Sequence, residues 1–217
     1  MTTYRLHNYF RSSASWRVRL AMRLKGLDYA YVSVHLVRDG GQQHAAAYRA
    51  LNPMAQVPTL EIVDDAGGSR FLGQSLAILQ YLEDAHPEPS LLPRDAFLKA
   101  RAWQLAEIVN AGIQPLQNLE PQRYVKQELH GDAMAFTRYF VARGIAALEQ
   151  EARQTAGQYL VGDAITVADC CLVPQMQACR RFGIDLAPYP TLAAVDARLA
   201  THPAVLATHP DRQPDSE

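Results

Sequence analysis

In the chain up to residue 85, short runs of alternating apolar and polar residues take turns with stretches of helical periodicity. The run "TYRLHNYF" predicts a strand, because its apolar side chains recur at a period of two. Residues 15–25 predict a helix, because Trp16 and Leu20 share one apolar stripe and Gly26 provides a stop. The β-rich run "YAYVSVHL" follows, so the first unit is βαβ, with parallel strands and a right-handed crossover.

The pattern then changes twice more along the chain. A helix near 44–51, the strand "QVPTLEIV", the strand "SRFL" and a helix over 75–84 complete a βαβ-α-ββα order for an α/β domain over 1–85. The proline-rich segment 86–94 predicts a linker. Residues 95–217 predict an all-α domain, with helices near 95–119, 123–153, 166–182 and 191–200.

Composition narrows the class of protein. The 217 residues are 48% hydrophobic, as expected of a globular chain with a core. Lys and Arg number 21 against 22 Asp and Glu, a net charge of −1 that favours neither nucleic acid nor an anionic membrane as a partner. The chain has no signal-like apolar run, and its three cysteines are an odd number, so we expect a cytoplasmic protein. Histidines at metal-ligand spacing are absent, and we expect no metal.

The stretch "FRSSASWRVRL" places Ser12, Ser13 and Ser15 at a predicted strand-to-helix junction. At least one of these hydroxyls is expected to cap the helix. A serine nucleophile needs a base, and no GxSxG elbow surrounds these residues. The other reading is a hydroxyl that stabilises a bound thiolate, with the thiol supplied from outside because Cys170 is far away in the sequence.

Two further segments leave alternatives open. A cis Val57-Pro58 bond would let the Val57 backbone pair with an extended peptide, whereas the dipeptide alone favours a trans proline at a strand edge. Ser75 is predicted as the N-cap of the 75–84 helix. The free amides at that helix start would suit a carboxylate, although a plain cap is the simpler interpretation.

The segment "DAITVADCCLVPQM" predicts architecture rather than chemistry. Thr166 and Asp169 form a reciprocal capping box, and Pro174 lies inside the helix that follows. Arg180 and Arg181 end that helix, where cations suit the helix dipole.

Taken together, these segments resemble the zeta class of the glutathione transferases. The resemblance rests on "RSSASWRVRLAMRLKG", "LNPMAQVPTL", "GQSLAI", "IQPLQNL", "DLAPYPTL" and "HPDRQPD", and it runs nearly from end to end. It implies a thioredoxin-like, glutathione-binding N-terminal domain, an all-helical substrate-binding C-terminal domain, glutathione as cofactor, and a homodimer.

The resemblance also implies roles for particular residues. Ser12 is the hydroxyl that stabilises the thiolate, with Ser13 as its neighbour, and Ala14 stands where the family motif usually has cysteine. The other implied glutathione contacts are Gln43, Val57, Gln74, Ser75, Gln114 and Asn118. Among these, Gln43 is assigned to the glycine end, Gln74 and Ser75 to the γ-glutamyl end, and Val57, beside a cis Pro58, to the cysteinyl backbone.

The implied activity is cis–trans isomerisation of maleylacetoacetate to fumarylacetoacetate, by reversible addition of the thiolate of glutathione to the double bond. Arg11 and Arg181 are expected to bind the substrate carboxylates, Arg180 less so, while Arg17 and Arg19 are expected to be structural. The alternatives are isomerisation of maleylpyruvate in gentisate breakdown, glutathione transfer to small α-halo acids, and a binding module without chemistry.

Overall fold

The computed structural model describes residues 2–217, and it divides into two compact units. The first contains the chain through Ser90 together with Pro203–Glu217, and the second is Leu91–His202. The division falls within the predicted linker 86–94. The segment Pro203–Glu217 differs from the sequence prediction, which placed it in the helical domain. It joins the first unit because its side chains pack there: the Trp16 indole N–H, for example, donates to Thr208 Oγ1 at 3.0 Å.

The first unit, here called the sheet unit, contains the predicted βαβ-α-ββα order. Its elements are β1 (Thr3–Asn8), α1 (Ser13–Leu24), β2 (Ala30–Ser33), α2 (Ala46–Leu51), β3 (Thr59–Val63), β4 (Ser69–Gly73) and α3 (Ser75–Ala85). The strand order is β2-β1-β3-β4. β1 and β2 are parallel, as the βαβ unit requires, and β3 is antiparallel to both β1 and β4.

The core of the sheet unit lies between the sheet and its helices. Leu6 and Leu60 on the central strands, Leu20 on α1 and Ile78 on α3 are all fully buried. Within this unit, the connections that follow β1, β2 and α2, and the start of α3, carry the residues to which the sequence assigned function.

The second unit, here called the helical unit, contains α4 (Ala96–Glu107), α5 (Leu119–Gln127), α6 (Ala133–Ala152), α7 (Val167–Phe182) and α8 (Pro190–Ala200). The helix predicted over 95–119 passes into a π-helical turn, Ile108–Ile113, and then a 3-10 turn, Gln114–Gln117. The helix predicted over 123–153 is two helices. The chain breaks because His130 takes a positive φ of 50°, after which Asp132 caps α6 by accepting the N–H groups of Met134 and Ala135.

Glu149 on α6 holds the start of α8 and supplies a pH-dependent part of the stability. Its carboxylate accepts the N–H groups of Thr191 at 3.2 Å and Leu192 at 3.0 Å. Burial raises the pKa of Glu149, but the hydrogen bonds from Leu192, Thr191 and Arg153 outweigh it and leave that pKa below the ordinary value of 4.5. The carboxylate therefore stabilises the fold above pH 4.5, and this contribution is lost as the pH falls through the lowered pKa.

We expect Glu149→Gln to lower the free energy of unfolding by about 2 kcal/mol at neutral pH, because an amide cannot accept both backbone bonds. The difference between wild type and variant is expected to shrink in acid, where the wild-type carboxylate is protonated. Urea unfolding of both proteins across the acid range measures this, and a difference that grows on acidification would contradict it.

Candidate active site

Ser12 lies at the junction of β1 and α1, where it caps the helix. Its backbone is extended, and its Oγ accepts the N–H of Ser15 at 3.2 Å. This confirms that one of the three serines is an N-cap. The bond uses a lone pair of the hydroxyl and leaves its proton available. Ser12 can therefore cap α1 and donate a hydrogen bond to an anion at the same time.

The first turn of α1 adds backbone donors beside this hydroxyl. Within residues 2–217, the N–H groups of Ser13 and Ala14 have no hydrogen-bond partner. Unpaired amides at a helix start, together with the helix dipole, favour a bound anion. Arg11, one residue before the cap, is exposed to solvent.

A buried guanidinium fixes the loop that leads to Ser12. Arg19 is fully buried and donates to Asn8 Oδ1 at 2.9 Å, the Tyr9 carbonyl at 3.2 Å and the Phe10 carbonyl at 2.9 Å. Burial lowers the pKa of Arg19, which shows that the surroundings disfavour its charge. These contacts fit the structural role that the sequence assigned to Arg19.

The start of α3 repeats this arrangement. The N-cap is Gln74, with a φ of 66° that residues other than glycine rarely adopt, so the prediction that Ser75 caps the helix is wrong. Ser75 is the first helical residue, and its Oγ accepts from Arg17 Nη1 at 3.1 Å, which leaves its own proton to donate. The N–H groups of Ser75, Leu76 and Ala77 have no partner within the described chain.

The connection before β3 presents an unpaired peptide backbone. The Val57-Pro58 bond is cis, as the family resemblance implied, and the preference of the dipeptide for trans is wrong here. Across residues 2–217, nothing pairs with the N–H or the C=O of Val57. The Val57 side chain is buried in a small apolar cluster with Tyr9, Phe10, Val34 and Tyr48. This cluster joins the Ser12 loop to the Val57 connection.

Gln43 lies in the 3-10 turn Gln42–His44, in the connection between β2 and α2. The residue is buried, its Nε2 lies 3.4 Å from the Leu36 carbonyl, and its Oε1 has no partner among the described residues. A buried amide oxygen without a donor is a costly arrangement that a bound ligand would relieve.

The helical unit positions its own predicted residues. Gln114 Nε2 donates to Asn118 Oδ1 at 2.9 Å, so these two side chains lie together. The sequence missed the clamp behind them. Gln117 and Gln175 exchange two amide hydrogen bonds, of 3.0 and 3.1 Å, in the interior. Sequence patterns give little sign of such a pair, because its members are distant in the chain and polar.

The two candidate arginines of the helical unit have different surroundings. Arg180 is ion-paired with Asp196, whereas the exposed Arg181 stacks on the Phe182 ring, 4.7 Å from its centroid. Over residues 2–217, no group of His, Cys, Asp and Glu side chains is arranged to hold a metal. None of the helices in that range is long and apolar enough to cross a bilayer.

Comparison with known proteins identifies the family. Family models for the N-terminal and C-terminal domains of glutathione S-transferase match residues 6–90 and 141–203. Maleylacetoacetate isomerase of Rattus norvegicus is 45% identical over 97% of this chain and 94% of its own length.

Comparison with solved structures supports the same family assignment. The maleylacetoacetate isomerase of Anaeromyxobacter dehalogenans 2CP-1, with glutathione bound in its active site, is 50% identical, covers 100% of this chain and 99% of its own, and gives a TM-score of 0.91. A zeta-class maleylpyruvate isomerase in its holo form is 38% identical over 98% of this chain and 100% of its own, with a TM-score of 0.90. With identity at this level over nearly its whole length, the chain belongs to the maleylacetoacetate isomerase family, in the zeta class of the glutathione transferases.

Proposed function

We propose that this protein is a glutathione-dependent isomerase that converts maleylacetoacetate to fumarylacetoacetate. The observation that carries the proposal is the Ser12 hydroxyl, which caps α1 through a lone pair and keeps its proton for an anion beside two unpaired amides. Membership of the family supplies the identity of that anion as the thiolate of glutathione. The choice of maleylacetoacetate as the substrate is supported by relatives named maleylacetoacetate isomerase that match nearly the whole chain.

The sheet unit offers a complementary group for each part of the tripeptide. The unpaired amides and the Ser75 hydroxyl at the start of α3 suit the γ-glutamyl carboxylate, with Gln74 beside them. The unpaired Val57 backbone suits the cysteinyl peptide group. The orphaned Oε1 of Gln43 suits a donor near the glycine end. Gln114 and Asn118 are assigned further contacts on the strength of the family alone.

When bound, glutathione supplies a thiolate that adds to the cis double bond, permits rotation about the resulting single bond, and is then eliminated unchanged. Ser12 and the first turn of α1 lower the pKa of the thiol, because a donor and the positive end of a helix favour the anion. Arg11 and Arg181 are assigned the substrate carboxylates, which a guanidinium binds in a bidentate way. They would also stabilise the negative charge that develops on the substrate during addition.

The test is a spectrophotometric assay of maleylacetoacetate and maleylpyruvate in parallel, with and without catalytic amounts of glutathione. We expect glutathione-dependent conversion to the trans isomer with no loss of free thiol, and faster conversion of maleylacetoacetate. Faster conversion of maleylpyruvate would replace the proposed substrate with the one named for a structural relative at a TM-score of 0.90. Loss of thiol in proportion to product, with small α-halo acids as substrates, would identify a transferase instead.

The family also supports a cytoplasmic homodimer. Cys170, Cys171 and Cys179 are buried thiols outside any disulfide, as is usual in a reducing compartment. Light scattering on the purified protein at several concentrations tests the dimer, and a mass equal to the single-chain 24.1 kDa throughout would reject it.

A further inference from the structure

The end of the chain is tied to the sheet unit by carboxylates. Asp215 Oδ2 accepts the N–H of Phe10 at 3.3 Å and the hydroxyl of Ser33 at 2.9 Å. The hydroxyl of Tyr31 donates to the other oxygen of the same carboxylate. Phe10 lies two residues before Ser12, so Asp215 holds the loop that carries the candidate thiolate ligand. We call residues 213–217 the C-terminal latch.

A second carboxylate of the latch reaches the connection that carries Gln43. Glu217 Oε1 lies 2.6 Å from Arg38 Nη2 and 3.2 Å from His35 Nε2. Nδ1 of His35 accepts the backbone N–H of Arg38 at 2.8 Å, whereas Nε2 lies close to Glu217 without forming a hydrogen bond to it. The backbone N–H of Gln42 donates a hydrogen bond to the His35 carbonyl at 2.8 Å.

The latch itself is anchored within the sheet unit. Gln213 is buried, and its Nε2 donates to the His209 carbonyl at 2.9 Å. The preceding helix α9 (Pro203–Thr208) packs on α1, whose first residues flank Ser12. The segment "HPDRQPD" therefore leads into the C-terminal latch, whose carboxylates contact two loops that carry predicted glutathione-binding residues.

We propose that Asp215 is a positioning residue for the glutathione thiolate: by fixing the Phe10 N–H, it sets the place of the Ser12 hydroxyl, and the latch as a whole keeps the Ser12 and Gln43 loops in register. This rests on the proposed function, since it assigns Ser12 to the thiolate. Asp215 acts through the backbone, and nothing places it against the reacting atoms. Arg19 holds the same loop through the Tyr9 and Phe10 carbonyls, and the Ser12 N–H donates to the Tyr9 carbonyl at 3.0 Å. Asp215 adds the hydrogen bond that fixes the Phe10 N–H.

A charge effect of Asp215 and a positioning effect of Asp215 predict opposite changes in the pKa of the bound thiol. A carboxylate near an anion raises the pKa of its acid, so removing the Asp215 charge alone would lower the thiol pKa. Displacing the Ser12 donor would raise it instead. The direction of the change in the pKa of bound glutathione therefore separates a positioning role from a simple charge effect.

The experiment compares wild type with Asp215→Ala, Asp215→Asn, Tyr31→Phe and Asp211→Asn. Calorimetry gives the glutathione Kd, ultraviolet absorbance of the thiolate against pH gives the thiol pKa, and amide exchange of the ligand-free protein reports on residues 9–13. Tyr31→Phe removes one donor to Asp215 while preserving the ring. Asp211→Asn is the matched control, because this latch-adjacent carboxylate is 83% exposed and, among residues 2–217, has an ionic contact with His209 alone.

We expect Asp215→Ala to raise the thiol pKa, to lower kcat about tenfold with a smaller change in KM, and to speed exchange at residues 9–13. Asp215→Asn keeps an acceptor for the Phe10 N–H, so its thiol pKa, kcat and exchange rates are expected to lie between those of wild type and Asp215→Ala. Tyr31→Phe is expected to shift each of these readouts in the same direction by a smaller amount. Asp211→Asn is expected to match wild type. A lower melting temperature with unchanged thiol pKa and exchange would overturn the proposal, as would a fall in the thiol pKa. Should Asp215→Ala not fold, the same readouts on Tyr31→Phe and Asp215→Asn decide. Wild type that fails to bind glutathione would reject the proposed function itself.

Discussion

Replacing Ser12 with alanine is expected to lower isomerase turnover by about 10²–10³-fold while the Kd of glutathione changes little. The hydroxyl is oriented by accepting the Ser15 N–H at 3.2 Å, which leaves one proton to aim at the thiolate. Without it, the bound thiol is expected to have a higher pKa, so less of the reactive thiolate is present at neutral pH. The tripeptide keeps its contacts elsewhere, which is why binding is expected to survive.

Because Ser12 is also the N-cap of α1, the variant loses about 1 kcal/mol of stability. Asp95→Ala is the matched control: it removes another N-cap, whose carboxylate accepts the Leu98 N–H at 2.9 Å, on a helix with no assigned role in catalysis. We expect Asp95→Ala to lose similar stability and to keep full turnover. Steady-state kinetics with calorimetric binding decide the matter. Unchanged turnover in Ser12→Ala, or a parallel loss of turnover and glutathione binding, would refute the assigned role.

The largest loss of stability is expected at Asp169, which completes the capping box of α7. Its carboxylate is fully buried and accepts the Leu160 N–H at 3.0 Å, the Thr166 N–H at 2.8 Å and the Thr166 hydroxyl at 2.9 Å. Burial raises the pKa of Asp169 to about 6, even though these bonds oppose the shift. We expect Asp169→Ala to lower the free energy of unfolding by about 3–5 kcal/mol, because three buried donors lose their acceptor.

Urea unfolding at neutral pH measures this loss, and Asp185→Ala is its control. Asp185 also accepts a backbone N–H, that of Ala187 at 3.0 Å, but in an exposed turn where water replaces the lost bond. The control is expected to change stability by less than about 1 kcal/mol. Similar losses in the two variants would mean that burial of Asp169 contributes little to the strength of the box.

The sequence was sufficient to predict those elements whose determining side chains lie within a few residues of each other. The βαβ crossover, the stop at Gly26 and the Thr166–Asp169 box follow from periodicity and from side chains within a few residues of each other. The long motifs "RSSASWRVRLAMRLKG" and "LNPMAQVPTL" also carried the family, which the comparisons confirmed. The cis state of Pro58 came only from that resemblance, since the dipeptide by itself favours trans.

Only the tertiary structure shows which residues that are distant in the sequence form hydrogen bonds with each other. Ser75 is a plausible cap by sequence, yet the cap is Gln74, and Arg17 from another helix holds the Ser75 hydroxyl. The Gln117–Gln175 clamp and the bond from Phe10 to Asp215 join residues 58 and 205 positions apart. No local pattern encodes such pairs, because a hydrogen bond between remote residues forms only after the apolar core has brought their segments together. The sequence by itself therefore determined the elements and the family, and packing determined which distant side chains hold the segments that carry the candidate site residues.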